Sequence, residues 1–194
     1  RYRNLITLLL CVNKEQVTKH GCIYFSEKRF PFKRMTEFTN LSRNMAPKGK
    51  TSLCVEITCF KDDEIFQRDD KYIYDLVLAS LEQEGFLQKK EIEAYKVLRI
   101  PNAYPVYDLS YYKNLQTIFD FLSTLHGIVS IGRQGLFSYN TMGNSVMSGL
   151  SMGKELSVAE PSGWRNIIQA RYQGRLEKYY HALHHADLRL EDVH

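Results

Sequence analysis

In five segments of residues 1–100, hydrophobic and polar positions alternate or form short apolar runs, which is the pattern of β-strands. Residues 5–12 form an apolar run between polar stretches, and 51–60 alternate β-branched or apolar residues with polar ones. The predicted strands are, in chain order, 5–12, 22–25, 33–39, 51–60 and 91–100. We expect the last strand to stop at Pro101, because proline cannot donate to a sheet ladder.

Helical spacing of apolar residues replaces this pattern elsewhere in the chain. The clearest example is 69–84, where Ile73, Val77 and Leu81 lie on one face and Gly85 provides a C-terminal stop. Similar spacing predicts helices over 110–125 with Ser110 as N-cap, over 144–156, and over 164–185. With a further strand predicted at 127–131, the order of elements indicates an α+β fold, joined to part of another domain.

Composition narrows the function classes. The 194 residues are 44% hydrophobic and 25% charged, with a net charge of +4, which is ordinary for a globular domain and too weakly basic to predict nucleic-acid binding. The apolar run 5–12 is too short to predict a membrane span. None of the four cysteines forms a Cys-x-x-Cys pair, so we expect reduced thiols, a cytoplasmic protein and no metal site. The chain starts without methionine, as expected for a piece of a longer polypeptide.

The segment 131–145 carries the clearest chemical signal. A short apolar run leads into a glycine-bearing turn, an aromatic loop and then a helix start rich in small residues. Glycine permits close approach of the backbone to a ligand, and a helix start offers unpaired N–H groups to anionic or carbonyl oxygens. No Gly-x-Gly-x-x-Gly motif accompanies it.

Two motifs support a family resemblance. They are Ala-Tyr-Pro-Val-Tyr-Asp at 103–108 and Ile-Gly-Arg-x-Gly-x-Phe-x-Tyr-Asn-x-Met at 131–142, with weaker matches at 24–25, 32–34 and 47–56. This sequence resembles the C-terminal part of FAD-dependent oxidoreductases of the amine oxidase and protoporphyrinogen oxidase superfamily. UDP-galactopyranose mutases share the same architecture.

The resemblance implies a domain organisation. Residues 1–101 would form the substrate domain, a mixed and largely antiparallel sheet with flanking helices. Residues 102–156 would return to the FAD-binding domain as a strand and helix, and 157–194 would form a C-terminal helix and tail. An N-terminal FAD-binding half would be missing, so we expect this chain alone to be inactive and to bind FAD weakly.

The resemblance also assigns candidate residues. Gly132 and Arg133 would lie near the FAD phosphates or ribityl chain, and the amides following Met142 would face the flavin ring. An acidic residue often follows the methionine in such enzymes; Gly143 replaces it here. The cofactor-binding candidates are Gly132, Arg133, Gly135, Tyr139, Met142, Gly143, Asn144, Ser145 and Val146, and the substrate-binding candidates are Tyr104, Tyr107 and Arg34.

Three functions remain open at this point. The first is hydride transfer from a small organic substrate to FAD. The second is a mutase-like reaction on a nucleotide sugar, with Arg34, Arg43 and Lys50 as a diphosphate clamp; together with Lys48 these cations would form an anion-recognising loop. The third is a non-catalytic module that binds a partner protein. No spacing identifies a catalytic residue, and His181 and His185 are interpreted as part of a solvated helix.

Overall fold

The computed structural model describes residues 1–125 and 128–158. Within these residues the chain forms one five-stranded sheet in the order β2-β3-β4-β1-β5. The strands are β1 Tyr2–Val12, β2 Cys22–Tyr24, β3 Arg34–Glu37, β4 Thr51–Cys59 and β5 Ile92–Pro105. Every ladder is antiparallel, which confirms the α+β class and makes the sheet more uniform than the mixed one expected.

The core of the sheet lies on one face because side chains alternate along each strand. Leu8 of β1 pairs with Val55 of β4, and Met35 of β3 pairs with the same valine, so all three point to the same side. All three are almost completely buried. They pack in one cluster with residues of the helix described next.

Helix α2, Asp70–Gln83, covers this face and follows a single turn, α1 Glu64–Gln67. The Asp69 carboxylate caps it by accepting the N–H of Tyr72 at 2.7 Å. Its buried residues are Ile73, Tyr74, Val77, Leu78 and Leu81. Gly85 follows with φ of +72°, so the predicted helix and its glycine stop are confirmed.

Strand β5 continues through Pro101 to Pro105, so its predicted end at residue 100 is wrong. The register with β1 shifts between Arg3 and Leu5, which places a bulge opposite them. Asn102 adopts φ of +54° there and donates its N–H to Asn4 Oδ1 at 3.0 Å. A bulge removes the need for a ladder donor at the proline, and the strand resumes beyond it.

The chain divides into two compact units, unit 1 ending at Val106 and unit 2 beginning at Tyr107. Unit 2 contains α3 Tyr111–Thr124, the single turn α4 Gly132–Gly135 and α5 Met142–Val158. Tyr111, Leu115 and Phe119 form its small core. The sequence-derived boundaries after residues 101 and 156 stay predictions about the intact protein.

Two local predictions in unit 2 are wrong. Residues 128–131 belong to no strand; the Ser130 hydroxyl donates to the Gly135 carbonyl at 2.7 Å instead and ties the segment to α4. Ser110 precedes α3 without capping it; its hydroxyl donates to Asp108 Oδ1 at 2.7 Å instead. Residue 127 and the predicted helix 164–185, with its histidines, lie outside the described residues.

No helix within the described ranges is long and apolar enough to cross a bilayer. The same residues contain no group of three or more His, Cys, Asp or Glu side chains arranged to hold a metal ion.

Candidate functional site

The glycine-aromatic segment of unit 2 folds as a turn, a loop and a helix start. Gly132 enters α4 with φ of +76°, a conformation that side chains other than glycine's rarely adopt. The loop after α4 turns at Phe137, where φ is +49°, and Ser138 N–H returns to the Arg133 carbonyl at 3.0 Å. These bonds close the segment into one compact turn.

Two tyrosine hydroxyls hold this loop. Tyr107 and Tyr111 both donate to the carbonyl of Phe137, the former at 3.0 Å. The Tyr107 oxygen also accepts the N–H of Tyr139 at 2.8 Å, and the two rings lie 4.5 Å apart. Tyr107 was predicted to bind substrate; in unit 2 its hydroxyl is engaged by two main-chain groups. Substrate contact by its ring stays a prediction.

Arg133 braces the other side of the loop. Its Nη1 donates to the carbonyl of Asn140 at 2.7 Å, and its guanidinium lies 5.4 Å from the centroid of the Tyr139 ring. The geometry suits a cation–π contact. The predicted contact of Arg133 with a phosphate stays a prediction, and it would be made by a side chain that the loop already holds in place.

The start of α5 is capped by a residue that the sequence analysis missed. Thr141 Oγ1 accepts the N–H of Asn144 at 3.2 Å, and its carbonyl accepts that of Ser145 at 3.0 Å. Asn140 Oδ1 accepts the Ser145 hydroxyl at 3.1 Å. A threonine directly before a helix is an ordinary N-cap signal, so Thr141 could have been identified from the sequence.

The glycines of this segment have different steric surroundings. A Cβ on Gly135 would lie 2.7 Å from Ser130 Oγ, so this glycine serves internal packing. A Cβ on Gly132 would meet Ser145 only at 4.0 Å, and one on Gly143 would lie 3.8 Å from Thr141 Oγ1. The space beside Gly132 and Ser145 is thus open. Unit 2 brings the predicted residues from 132 to 146 together around this opening and the start of α5.

The other two candidates, Arg34 and Tyr104, belong to unit 1. Arg34 forms an ion pair with Glu56, which is its partner in the β3–β4 ladder and is 9% exposed. Glu56 in turn pairs with Thr7 of β1, so this row occupies the sheet face opposite the core. Tyr104 lies close enough to Arg34 to interact with it electrostatically.

Arg34 remains cationic in this setting. Burial opposes its charge, but hydrogen bonds to Glu56 and Tyr24 outweigh burial and raise the pKa of its guanidinium. Its Nε is buried and has no hydrogen-bond partner. The sequence analysis missed Glu56 as the partner, although a glutamate inside an apolar strand is a visible signal of a paired carboxylate. The arrangement can present a fixed cation to an anionic group.

At the level of sequence, the chain matches no protein-family model and no curated protein. Solved structures share its fold. A reduced UDP-galactopyranose mutase matches with a TM-score of 0.68 and 21% identity, over 89% of this chain and 37% of that one. A candidate protoporphyrinogen oxidase from Exiguobacterium sp. 255-15 matches with a TM-score of 0.62 and 15% identity, over 82% of this chain and 35% of that one.

The chain therefore spans little more than a third of the length of these two proteins, at 37% and 35%. They represent the two groups named by the sequence resemblance. The resemblance is confirmed at the level of the fold: this chain has the α+β fold of part of UDP-galactopyranose mutase and of part of the Exiguobacterium protein.

Proposed function

We propose that this chain is the C-terminal part of an FAD-dependent oxidoreductase that transfers hydride from a small organic substrate to FAD. The observation that carries the proposal is the fold shared with the mutase and the oxidase, combined with a Gly-Arg turn leading into an open helix start. FAD, when bound, would supply the hydride-accepting chemistry. The residues of this chain would bind, orient and exclude water.

The residues of unit 2 fit such a cofactor in part. The start of α5 presents main-chain N–H groups at Met142 and Gly143, and both residues are exposed, Met142 by 88%. A helix start favours negative charge, which suits the electron-rich end of a reduced flavin. Because Gly143 carries no carboxylate, we propose that contact at this position is made by the main chain alone.

The exposed side of α5 supports a missing partner half. Its large apolar side chains Met142, Val146, Met147 and Leu150 are each at least 60% exposed. Their spacing places them along one side of the helix. We propose that the FAD-binding half of the parent protein packs against this face, because a contiguous apolar surface normally marks an interaction site.

Unit 1 would recognise the substrate through the face that carries Arg34 and Tyr104. A fixed guanidinium with one unpaired buried N–H suits a carboxylate or phosphate group. This feature and the higher TM-score of 0.68 also favour a second candidate, a mutase-like enzyme acting on a nucleotide sugar. In that function Arg34 would bind the diphosphate.

The test compares the polypeptide encoded by the complete gene with this 194-residue chain after incubation with FAD and desalting. We expect the complete polypeptide to retain a flavin absorbance spectrum and the shorter chain to lose it. A complete polypeptide that stays colourless would contradict the proposal and favour a protein-binding module. Thermal stabilisation by UDP-galactopyranose, lost in Arg34→Met but kept in Arg68→Met, would favour the mutase over the oxidoreductase.

A further inference from the structure

A cavity of about 930 Å³ opens in unit 1 at one end of the sheet. It lies between the loop that follows β1 and the loop that precedes β4, and is lined by Glu15 and Gln16 and by residues 39–44 and 46–50. The nearest ladder pair is Val12 with Thr51, whereas Tyr104 pairs with Arg3 at the other end of β1. The cavity is thus separate from the Tyr104 end of the sheet.

A buried carboxylate holds both walls of this cavity. Glu37 is completely buried, and its Oε1 accepts the N–H of Val17 and the hydroxyl of Thr51, both at 2.8 Å. Its Oε2 accepts the N–H of Thr18 at 2.7 Å and the amide of Asn40 at 3.1 Å. Four bonds from two loops and one strand converge on one side chain. The walls are therefore fixed before any ligand arrives.

Hydrogen bonds between neighbouring side chains also connect the two loops that line the cavity. Gln16 Nε2 donates to Asn40 Oδ1 at 2.7 Å, which ties the two loops together across the cavity edge. Asn40 Nδ2 also reaches the carbonyl of Thr18 at 2.8 Å. Both ends of the Asn40 amide are therefore engaged, and its side chain is held in one orientation.

The charge of the lining is unbalanced. Three cations, Arg43, Lys48 and Lys50, face one carboxylate, Glu15. The charge of Lys50 is neutralised by Glu93, which does not line the cavity: Lys50 Nζ donates to both carboxylate oxygens, at 2.7 and 2.6 Å. Within the described part of the chain, neither Arg43 nor Lys48 has an ion-pair partner. Two uncompensated cations thus line a pre-formed cavity, which favours an anionic occupant.

The turn at the cavity edge adds main-chain donors. Lys50 N–H bonds to the Pro47 carbonyl at 3.0 Å, and Gly49 adopts φ of +79° with nothing within 4 Å of its missing side chain. Among the described residues, the N–H groups of Lys48 and Gly49 have no acceptor. Open main-chain donors beside cations are the usual means of holding phosphate oxygens.

We propose that this cavity binds a phosphorylated, hydroxyl-bearing small molecule of sugar-phosphate size. Arg43, Lys48 and the Gly49 N–H hold the phosphate, whose three terminal oxygens match a guanidinium, an ammonium and a main-chain donor. Glu15 and the polar side chains of the lining accept and donate to the hydroxyls. The site uses Arg43 and Lys48 of the anion-recognising loop that the sequence predicts, but neither Arg34 nor any residue of unit 2, so it can be tested separately from flavin binding.

The test titrates glucose 6-phosphate, glucose and inorganic phosphate into the ¹⁵N-labelled 194-residue chain at low salt. We expect saturable shifts of the Arg43, Lys48 and Gly49 amides with the sugar phosphate, weaker binding of phosphate, and none of glucose. The double variant Arg43→Gln, Lys48→Gln should bind at least about tenfold more weakly. Its matched control, Lys61→Gln with Lys90→Gln, removes two exposed lysines outside the cavity and should change affinity by less than about twofold.

Two results would overturn the proposal. One is the absence of saturation with glucose 6-phosphate up to about 10 mM, which lies beyond the affinity expected of a fixed phosphate site. The other is an equal loss of affinity in both double variants, since that would indicate a diffuse attraction to a basic chain. Both pairs of substitutions lie on exposed side chains, so circular dichroism should show an unchanged fold for each variant.

Discussion

Replacing Glu37 by glutamine should destabilise this protein far more than its single changed atom suggests. The Glu37 carboxylate accepts four hydrogen bonds, two of them from the main-chain N–H groups of Val17 and Thr18. A glutamine amide has one oxygen and one NH₂ group, so in either orientation its NH₂ faces a main-chain donor. Because the side chain is 0% exposed, water cannot relieve that conflict.

The size of the effect follows from the bonds lost. Hydrogen bonds to a charged group contribute about 1.5–3 kcal/mol each, and an unsatisfied buried donor costs about 1–3 kcal/mol. Replacing one carboxylate oxygen by NH₂ removes the two hydrogen bonds that this oxygen accepts, which should reduce the free energy of unfolding by about 3 kcal/mol. With a urea m-value of about 2 kcal/mol/M, the unfolding midpoint should fall by about 1.5 M.

The assay is urea unfolding followed by circular dichroism, together with hydrogen exchange of the Val17 and Thr18 amides. Glu15→Gln is the matched control, because Glu15 lies on the same loop with an exposed side chain and should change stability by less than about 0.5 kcal/mol. The reasoning fails if Glu37→Gln is as stable as Glu15→Gln and both amides keep their protection.

Three further predictions concern other sites. Arg34→Met should lower the free energy of unfolding by about 1–3 kcal/mol, because it leaves the buried Glu56 unpaired. A double-mutant cycle with Glu56→Gln should show a coupling energy above about 0.5 kcal/mol, and strict additivity would contradict the pairing. Tyr107→Phe should lower the free energy of unfolding by about 1–2 kcal/mol and speed hydrogen exchange at the Tyr139 amide. Unchanged exchange would show that the Tyr107 hydroxyl does not hold the loop. Burial raises the pKa of Cys54 from 9.0 to about 11, so the unfolded state loses this proton first and stability should fall as pH rises through that interval. Urea midpoints at both ends of the interval should show a smaller fall for Cys54→Ala than for the unchanged chain; an equal fall would contradict the assignment.

The strands and long helices were predictable because their signals are local. The apolar run of β1 ends at Val12, and that of β4 begins at Thr51. Asp69 caps the start of α2, and Gly85 follows its end as a stop. Such patterns depend on side-chain alternation and on backbone preferences that act within a few residues. The α+β class therefore followed from the order of elements.

The errors came from contacts that sequence spacing does not encode. Pro101 should end a strand, but its bulge depends on Asn4, which lies 98 residues from its bonding partner Asn102. Residues 128–131 have a strand composition, yet Ser130 bonds to Gly135 and, among the described residues, no strand pairs with them. Ser110 is a good cap by type, but Asp108 competes for its hydroxyl.

The local form of the glycine-aromatic segment was predictable, whereas cofactor binding by its residues stays a prediction. Residues 132–146 do form a glycine-bearing turn, a loop and a helix start, as the glycine and small-residue pattern predicts. That the Tyr107 hydroxyl would serve as a brace for the loop could not be seen, because its partners lie 30 and 32 residues away. Glu37 was missed for the same reason, since its partners Val17 and Thr18 belong to a loop without any pattern of its own.

The irregular end of β5 has a consequence for how copies of this chain behave when they are crowded together. Strand β5 is the last strand of the sheet, and an outer strand with a regular backbone invites another molecule to add to it. Pro101 and Pro105 lack N–H groups, and the left-handed Asn102 bends the backbone between them. Residues 101–105 are therefore a poorer template for intermolecular pairing than a regular strand end, which disfavours edge-to-edge association at this end of β5.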